Sequence, residues 1–225
     1  MKDYRLLFTL KGYDYPVLLE LLNKSEKRVI KTEQIHSSIV FHCQSNRHKS
    51  KDFTIKADGI ISKDCNSIIR TIHADCLPIY FLDIQNDVFA LIHSGWQGTL
   101  NQIARHTLND MVRYYKLNLE DIQVVIGPGI DFDNYQVGSE IYQKFRSKWN
   151  VDLKFFKADQ EKDKYKLDLK QANKELLVQS GIPSKNIFIS DLSTYNSPDL
   201  FHSYRRDGNS AGRMAAFIYK VRSNP

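Results

Sequence analysis

The stretch LPIYFLDIQNDVFALIH at positions 77–93 decides the fold class of this chain. It holds two apolar runs, at 77–82 and 88–93, joined by the segment DIQND, whose Asp and Asn side chains are typical of turns. Two such runs around a short polar link predict a β-hairpin. Because both runs are almost continuously apolar, we expect both faces of the hairpin to be buried.

The predicted hairpin brings a thiol and an imidazole to its open end. If Asp83 pairs with Val88, then Cys76 and His93 lie close together, although they are far apart in sequence. The histidine could activate the thiol as a nucleophile, or both side chains could bind a metal ion such as zinc. A buried cysteine beside a hydrogen-bonded histidine, without chemistry, is the third interpretation.

Both helices and strands are predicted around the hairpin. Apolar residues spaced by three and four predict helices, and the lack of a regular strand–helix alternation favours an α+β fold over a doubly wound sheet. The polar segment 154–166 predicts a surface loop. The other predicted elements are strands at 67–72 and 187–189 and helices at 99–115, 137–149 and 168–180. The segment 213–221 fits either a helix or a strand, and a strand is favoured.

The composition is that of an ordinary globular protein. Of the 225 residues 42% are hydrophobic and 26% are charged, with a net charge of +6, which excludes disordered, collagen-like and coiled-coil proteins. Three cysteines without a CxxC pair exclude a disulfide scaffold and suit the reducing cytoplasm. No run is apolar enough to span a membrane, and the scattered basic residues do not predict nucleic-acid binding. Without linkers or repeats, residues 1–225 are expected to form a single domain.

Two further segments carry candidate functional residues. FHSYRRDG at 201–208, followed by GR at 212–213, presents guanidinium groups that suit a phosphate or carboxylate, and a solvated turn with one structural Arg–Asp pair is the alternative. His36, in the segment QIH at 34–36, is a further candidate metal ligand. Spacing alone does not select it over the histidines at His42, His48 and His73.

Four motifs follow one another along the chain: ADCLP at 74–78, HSGWQG at 93–98, IGP at 126–128 and SYRRDG at 203–208. Together they resemble the YfiH/laccase-domain family, over most of the chain. That family was first described as polyphenol oxidase-like and is now described as purine nucleoside phosphorylases with adenosine deaminase and methylthioadenosine phosphorylase activity. The resemblance implies a single-domain, four-layer α/β/β/α sandwich with mixed β-sheets.

The resemblance also implies which residues form the site. The family's Gln-x-His, Asp-Cys and His-x-Gly-Trp motifs fall on His36, Cys76 and His93, which are the implied zinc ligands. Copper is less favoured, because a multicopper centre needs more ligands. Beside Cys76 and His93, the implied catalytic residues are Asp58 and Asp75, in acid–base or ribose-binding roles. The residues expected to bind substrate phosphate are Arg205, Arg206 and Arg213.

The implied function is a zinc-dependent purine nucleoside phosphorylase with adenosine deaminase activity, working as a monomer or homodimer on adenosine, inosine or methylthioadenosine. The alternatives are a Cys–His hydrolase or deamidase that needs no metal, a laccase-like copper oxidoreductase, and a binding protein without enzymatic activity. The chain departs from the family pattern at three positions. Lys11 stands where the N-terminal motif has Arg, and Gly129 and Ser193 stand where the family often has cysteine.

Overall fold

The computed structural model describes residues 3–13, 28–43, 53–149 and 151–221, which form an α+β fold with three β-sheets. The described helices are α1 Trp96–Leu100, α2 Ile103–Tyr115, α3 Ser139–Lys148, α4 Leu169–Gln179 and α5 Tyr204–Asp207. The described strands are β1 Asp3–Phe8, β2 Arg28–Glu33, β3 Val40–Cys43, β4 Phe53–Lys56, β5 Gly59–Ser62, β6 Ser67–His73, β7 Leu77–Asp83, β8 Val88–Ser94, β9 Gln123–Ile126, β10 Gln136–Gly138, β11 Phe156–Ala158, β12 Lys164–Leu167, β13 Ile187–Ile189 and β14 Met214–Val221.

The predicted hairpin is confirmed as strands β7 and β8, at the centre of a six-stranded sheet with the order β13-β9-β7-β8-β5-β3. Its register places Asp83 opposite Val88 and Pro78 opposite His93, as the turn position predicts. Every residue of both strands is buried, which confirms that the two faces of the hairpin are covered.

Two apolar layers cover the hairpin. One face packs with α1, α2 and α4, and Ile79 and Phe81 belong to the same core cluster as Leu108 and Leu176. The other face packs against a five-stranded sheet with the order β1-β14-β6-β2-β4. Alternate residues of β7 therefore belong to different layers, as the period of a β-strand requires.

The outer face of the five-stranded sheet is also apolar. It buries Val29, Ile68 and Phe217 in a cluster that contains no residue of a described helix. The described residues thus provide three layers of the predicted four-layer α/β/β/α sandwich: one layer of helices and two sheets.

The predicted helices are present with shifted ends. The helix expected at 99–115 is two helices, α1 and α2, because Gln102 between them adopts a left-handed backbone with φ 58°. The helix expected at 137–149 is α3, and Val137 before it lies in strand β10. The helix expected at 168–180 is α4, capped by the Asp168 side chain, which accepts from the backbone N–H of Gln171.

The prediction of a surface loop at 154–166 is wrong. This segment contains β11 and most of β12, and β12 lies between β10 and β11 in a three-stranded sheet. Its few apolar side chains anchor it: Phe155 is buried, and Tyr165 stacks on Tyr142 of α3 at 4.2 Å between ring centroids. The high charge of the segment lies on exposed positions between these anchors and hides the strand pattern. The strands predicted at 67–72, 187–189 and 213–221 are observed as β6, β13 and β14.

Candidate metal and substrate site

Three side chains converge at the open end of the hairpin. His36, Cys76 and His93 each offer one ligand atom, and these atoms all lie within 4.8 Å of one another. The two imidazole rings stand edge to face, with their centroids 5.0 Å apart. His36 lies in the loop after β2, Cys76 directly precedes β7, and His93 lies near the end of β8. Three separate segments therefore build one group.

The hairpin register explains why the thiol and the histidine meet. Leu77 pairs with Ser94, so Cys76 lies beside Gly95 just beyond the last pair. A Cβ atom on Gly95 would lie 2.5 Å from the Cys76 sulfur, which is closer than atoms can approach. The glycine of the HSGW motif is therefore required by the position of the thiol.

Asp58 holds both histidines. Its buried carboxylate accepts a hydrogen bond from His93 Nδ1 at 3.0 Å, so Nε2 is the nitrogen of that ring that is left to interact with Cys76 or a metal ion. It also accepts from the backbone N–H groups of Ile35, His36 and Ser37, at 3.3, 3.1 and 2.6 Å, and from the Ser37 hydroxyl at 2.7 Å. These bonds hold His36 in a left-handed backbone conformation with φ 56°.

The Gln34 side chain fastens the same loop to the five-stranded sheet. Its Nε2 donates to the carbonyl oxygen of Ile72 at 2.7 Å, and its Oε1 accepts from the N–H of Ile72 at 2.8 Å. Regular pairing between β2 and β6 ends earlier, at Lys31 and Arg70. The Gln34 side chain thus takes the place of a backbone pair between β2 and β6. This contact explains why a glutamine stands at this position of the Gln-x-His motif.

The electrostatics of the group favour a charged pair. Burial raises the pKa of Cys76, but the charge of His93 and hydrogen bonds from His36 and His93 outweigh it and lower the pKa to about 6. Burial lowers the pKa of His93, but Cys76 and Asp58 outweigh it and raise the pKa to about 9. The thiolate is the form of cysteine that binds metals and attacks electrophiles.

Asp75 has different partners from Asp58. It is buried, its backbone has φ 86°, and its carboxylate accepts from the hydroxyls of Thr194 and Ser203 at 2.7 and 3.0 Å. It also accepts from the N–H of Arg205 at 2.7 Å. Asp75 therefore ties the residue next to Cys76 to the start of helix α5.

The three arginines predicted to bind phosphate lie in different environments. Arg206 donates all five of its N–H groups within the protein, to the Asp207 carboxylate and to the carbonyl oxygens of Thr194, Tyr195 and Phe201. None is left in this structure to bind an anion.

The other two arginines are exposed. Arg205 lies 5.2 Å from the ring centroid of Tyr135 and donates to the carbonyl oxygen of Gln136 at 2.7 Å. Arg213 donates through Nη1 to two neighbouring carbonyl oxygens. Only Arg213 of the three predicted arginines lines the pocket over the ligand group.

That pocket has a volume of about 580 Å³, within the usual range for small-molecule sites. His36, Cys76 and His93 lie in its wall, while Asp58 and Asp75 are not among its lining residues. The other lining residues are Thr32, Glu33, Gln34, Ile72, Ala74, Tyr204 and Arg213.

Three other histidines in the described residues, His42, His73 and His202, have structural contacts. His73 is buried between the Thr71 hydroxyl, at 2.7 Å, and the backbone oxygen of Cys76, at 3.0 Å. Burial and the charge of His93 keep the pKa of His73 well below its ordinary value, so the ring is neutral. His42 pairs with Asp110, His202 packs beside Gly212, and His48 lies outside the described residues.

Sequence reasoning missed two contributors to this site. Gln34 clamps the His36 loop, and only its place in the Gln-x-His motif hints at this role. Tyr204 lines the pocket, and a lone tyrosine beside two arginines carries no sequence signal for that position. The family-pattern departures at Gly129 and Ser193 are also neighbours, because the two residues form an isolated parallel bridge. A Cβ atom on Gly129 would lie 2.9 Å from the Asp75 carbonyl oxygen, so this backbone has no room for a larger residue.

Residues 15–220 match the family model described as multi-copper polyphenol oxidoreductase laccase. The chain belongs to this laccase family. A purine nucleoside phosphorylase of Staphylococcus epidermidis is 32% identical to this laccase-family chain over 213 residues, covering 95% of the chain and 76% of the relative. The purine nucleoside phosphorylase YlmD of Bacillus subtilis is 35% identical over 161 residues, covering 72% of the chain and 58% of the relative.

Solved structures of similar proteins share the fold of this laccase-family chain. YlmD from Geobacillus stearothermophilus matches with a TM-score of 0.84 and 30% identity, covering 91% of this chain and 78% of that one. The Bacillus licheniformis hypothetical protein YfiH matches with a TM-score of 0.83 and 30% identity, covering 90% and 78%. Within the described ranges, no helix has the length and apolar character needed to cross a membrane.

Proposed function

We propose that this laccase-family protein is a zinc-dependent purine nucleoside phosphorylase. The observation that carries the proposal is the convergence of His36, Cys76 and His93 in a pocket that Arg213 also lines. The purine nucleoside phosphorylase names of its relatives support the same conclusion. Its substrates would be adenosine, inosine or methylthioadenosine together with phosphate, with adenosine deaminase as a further activity.

The side chains present fit a zinc ion. Two imidazoles and one thiolate match the three protein ligands of a catalytic zinc site, which keeps a fourth position open. The hydrogen bond from His93 to Asp58 is the usual support behind such a ligand. When bound, zinc supplies Lewis-acid polarisation of a substrate group. A multicopper centre needs more ligands, and the described part of the chain holds one such group.

Phosphorolysis sets clear tasks for the protein. A phosphate oxygen bonds to the C1′ atom of the ribose as the bond from C1′ to the purine breaks. The bonding electrons leave with the purine, which takes up a proton. Arg213 would hold the phosphate, because its N–H groups beyond Nη1 have no acceptor in the described structure.

The buried acids and Arg206 have positioning roles in this proposal. Asp58 orients His36 and His93, and Asp75 holds the segment that carries Tyr204. Arg206 fixes the same segment through its carbonyl contacts and binds no phosphate. The three free cysteines suit a cytoplasmic enzyme.

Product analysis of adenosine by chromatography tests this function. Zinc-loaded protein with phosphate should form adenine and ribose 1-phosphate, and omission of phosphate or a Cys76→Ala substitution should abolish both products. Inosine formed without any need for phosphate would assign the protein as a deaminase instead.

A metal-free Cys–His hydrolase or deamidase is the second candidate, favoured by the pKa of about 6 for Cys76 beside His93. The thiolate would then attack an amide or ester carbonyl, and the amine or alcohol would leave with a proton from His93. Water would hydrolyse the resulting thioester and free the thiolate. This candidate predicts that a chelator leaves activity intact and that His36→Ala is tolerated. The phosphorylase proposal predicts loss of activity in both experiments.

A further inference from the structure

The wall of the pocket contains both polar and apolar residues. Apart from the three candidate ligands, most of its lining residues are polar or charged, and the exceptions are Ile72, Ala74 and Tyr204. A purine ring needs a flat surface that covers its face, which neither a small alanine nor a branched isoleucine supplies. Tyr204 is the one aromatic ring in the described lining besides the two candidate imidazole ligands.

We propose that Tyr204 is the surface on which the purine base stacks, an inference that rests on the proposed function. Tyr204 is 51% exposed although it lines the pocket, so this residue is accessible to a ligand. Stacking on an aromatic ring tolerates any base, because every base has a π-face. Tyr204 would thus accept adenine and hypoxanthine alike.

The position of Tyr204 is fixed from both sides. The preceding residue, Ser203, donates its hydroxyl to Asp75, and the following residue, Arg205, donates its N–H to the same carboxylate. The Tyr204 hydroxyl donates to Asn209 at 3.3 Å. Asp75 directly precedes Cys76, so its carboxylate ties the segment that carries Tyr204 to the backbone beside the candidate thiolate ligand.

The segment 204–213 carries both proposed substrate contacts, Tyr204 for the base and Arg213 for the phosphate. Tyr204 starts helix α5, and Arg213 lies just before strand β14, yet both line the pocket with His36 and Cys76. A nucleoside whose base stacks on Tyr204 thus shares the pocket with the side chain that would hold phosphate.

Equilibrium binding and steady-state kinetics with three variants test this inference. Tyr204→Leu keeps an apolar side chain but removes the ring, Tyr204→Phe keeps the ring but removes the bond to Asn209, and Tyr114→Leu is the matched control. Tyr114 is a similarly exposed tyrosine, at 58%, and it is not among the pocket-lining residues. Zinc content and circular dichroism confirm that each variant is folded.

We expect Tyr204→Leu to weaken adenosine binding about 5- to 150-fold, the range measured for loss of one base–aromatic stack. Its KM for ribose 1-phosphate in the reverse direction should stay close to that of the parent protein, since that substrate has no base. Tyr204→Phe should recover most of the loss, and Tyr114→Leu should bind like the parent protein.

The possible failures are distinguishable. Equal adenosine affinity in Tyr204→Leu and the parent protein would overturn the stacking role and leave the phosphorylase proposal intact. Adenosine binding without turnover would contradict the phosphorylase, while the variant comparison would still decide the role of Tyr204. No binding of any purine nucleoside by the zinc-loaded parent protein would overturn both.

Discussion

Asp58 and Asp75 are two buried acids beside the same group of ligands, and they bind different kinds of partner. Asp58 accepts from the His93 ring and from the His36 backbone, so it contacts two candidate ligands directly. Asp75 accepts from two hydroxyls and one backbone N–H on a distant segment. One acid therefore acts on the chemistry of the ligands, whereas the other fixes the geometry of the pocket wall.

Removing the charge of Asp58 should have the largest effect. In Asp58→Asn, the His93 ring loses its charged partner, and we expect zinc affinity to fall about 10- to 100-fold. Competition with a chromophoric chelator measures this affinity. The matched variant Asp75→Asn should keep zinc affinity within about threefold, since the Asp75 carboxylate contacts no candidate ligand side chain. Equal losses in both variants would contradict the division of roles.

Arg213 and Arg206 provide a second comparison on the Asp75 side of the pocket. Arg213→Ala should raise the KM for phosphate about tenfold or more, because a charge-assisted hydrogen bond is lost. Arg206→Ala should instead lower the free energy of unfolding, since it leaves several carbonyl oxygens without donors. Steady-state kinetics and chemical denaturation distinguish these results. A phosphate-specific defect in Arg206→Ala would refute its positioning role.

Titration of the thiol in metal-free protein sharpens the difference between the two acids. The pKa of Cys76 is about 6, so ultraviolet thiolate absorbance should appear as the pH rises through that value. Asp58→Asn should move the midpoint upward, because the pKa of His93 falls and less positive charge faces the sulfur. Asp75→Asn should leave the midpoint unchanged. A Cys65→Ser background removes the signal of the exposed thiol.

The last prediction concerns the stability of Asp75→Asn rather than the chemistry of the site. The amide group would face the hydroxyl and N–H donors of Thr194, Ser203 and Arg205, and one donor would stay unsatisfied. We expect unfolding free energy to fall by about 1–3 kcal/mol, as for a buried group without its partner. Urea denaturation of the zinc-loaded protein measures this change, and an unaltered midpoint would show that Asp75 does not anchor helix α5.

The sequence predicted what local pattern can specify. The turn at 83–87 fixed the register of the hairpin, and that register places Cys76 next to His93. Contacts between segments that are distant in sequence cannot be predicted from a local pattern. His36 reaches the site because Asp58 and Gln34 hold its loop, and spacing did not distinguish it from the other histidines.

The same limit explains the failures. The charged segment 154–166 looked like a loop because its few aromatic anchors, such as Phe155, are hidden among exposed residues. The sequence predicts that Arg206 binds an anion, because it does not show which acceptors the guanidinium group already has. In the structure most of these acceptors are backbone carbonyl oxygens. A charged side chain is available to bind an anion only where the surrounding backbone leaves N–H donors free, and Arg213 meets this condition in the described structure.

Titration of zinc into metal-free protein, with phosphate and adenosine present, tests most directly whether His36, Cys76 and His93 form a working metal site. Release of adenine and ribose 1-phosphate should rise with added zinc and saturate at one ion per chain, and Cys76→Ala should stay inactive throughout. Full activity before any zinc is added, or activity that survives in Cys76→Ala, would contradict the zinc-dependent phosphorylase.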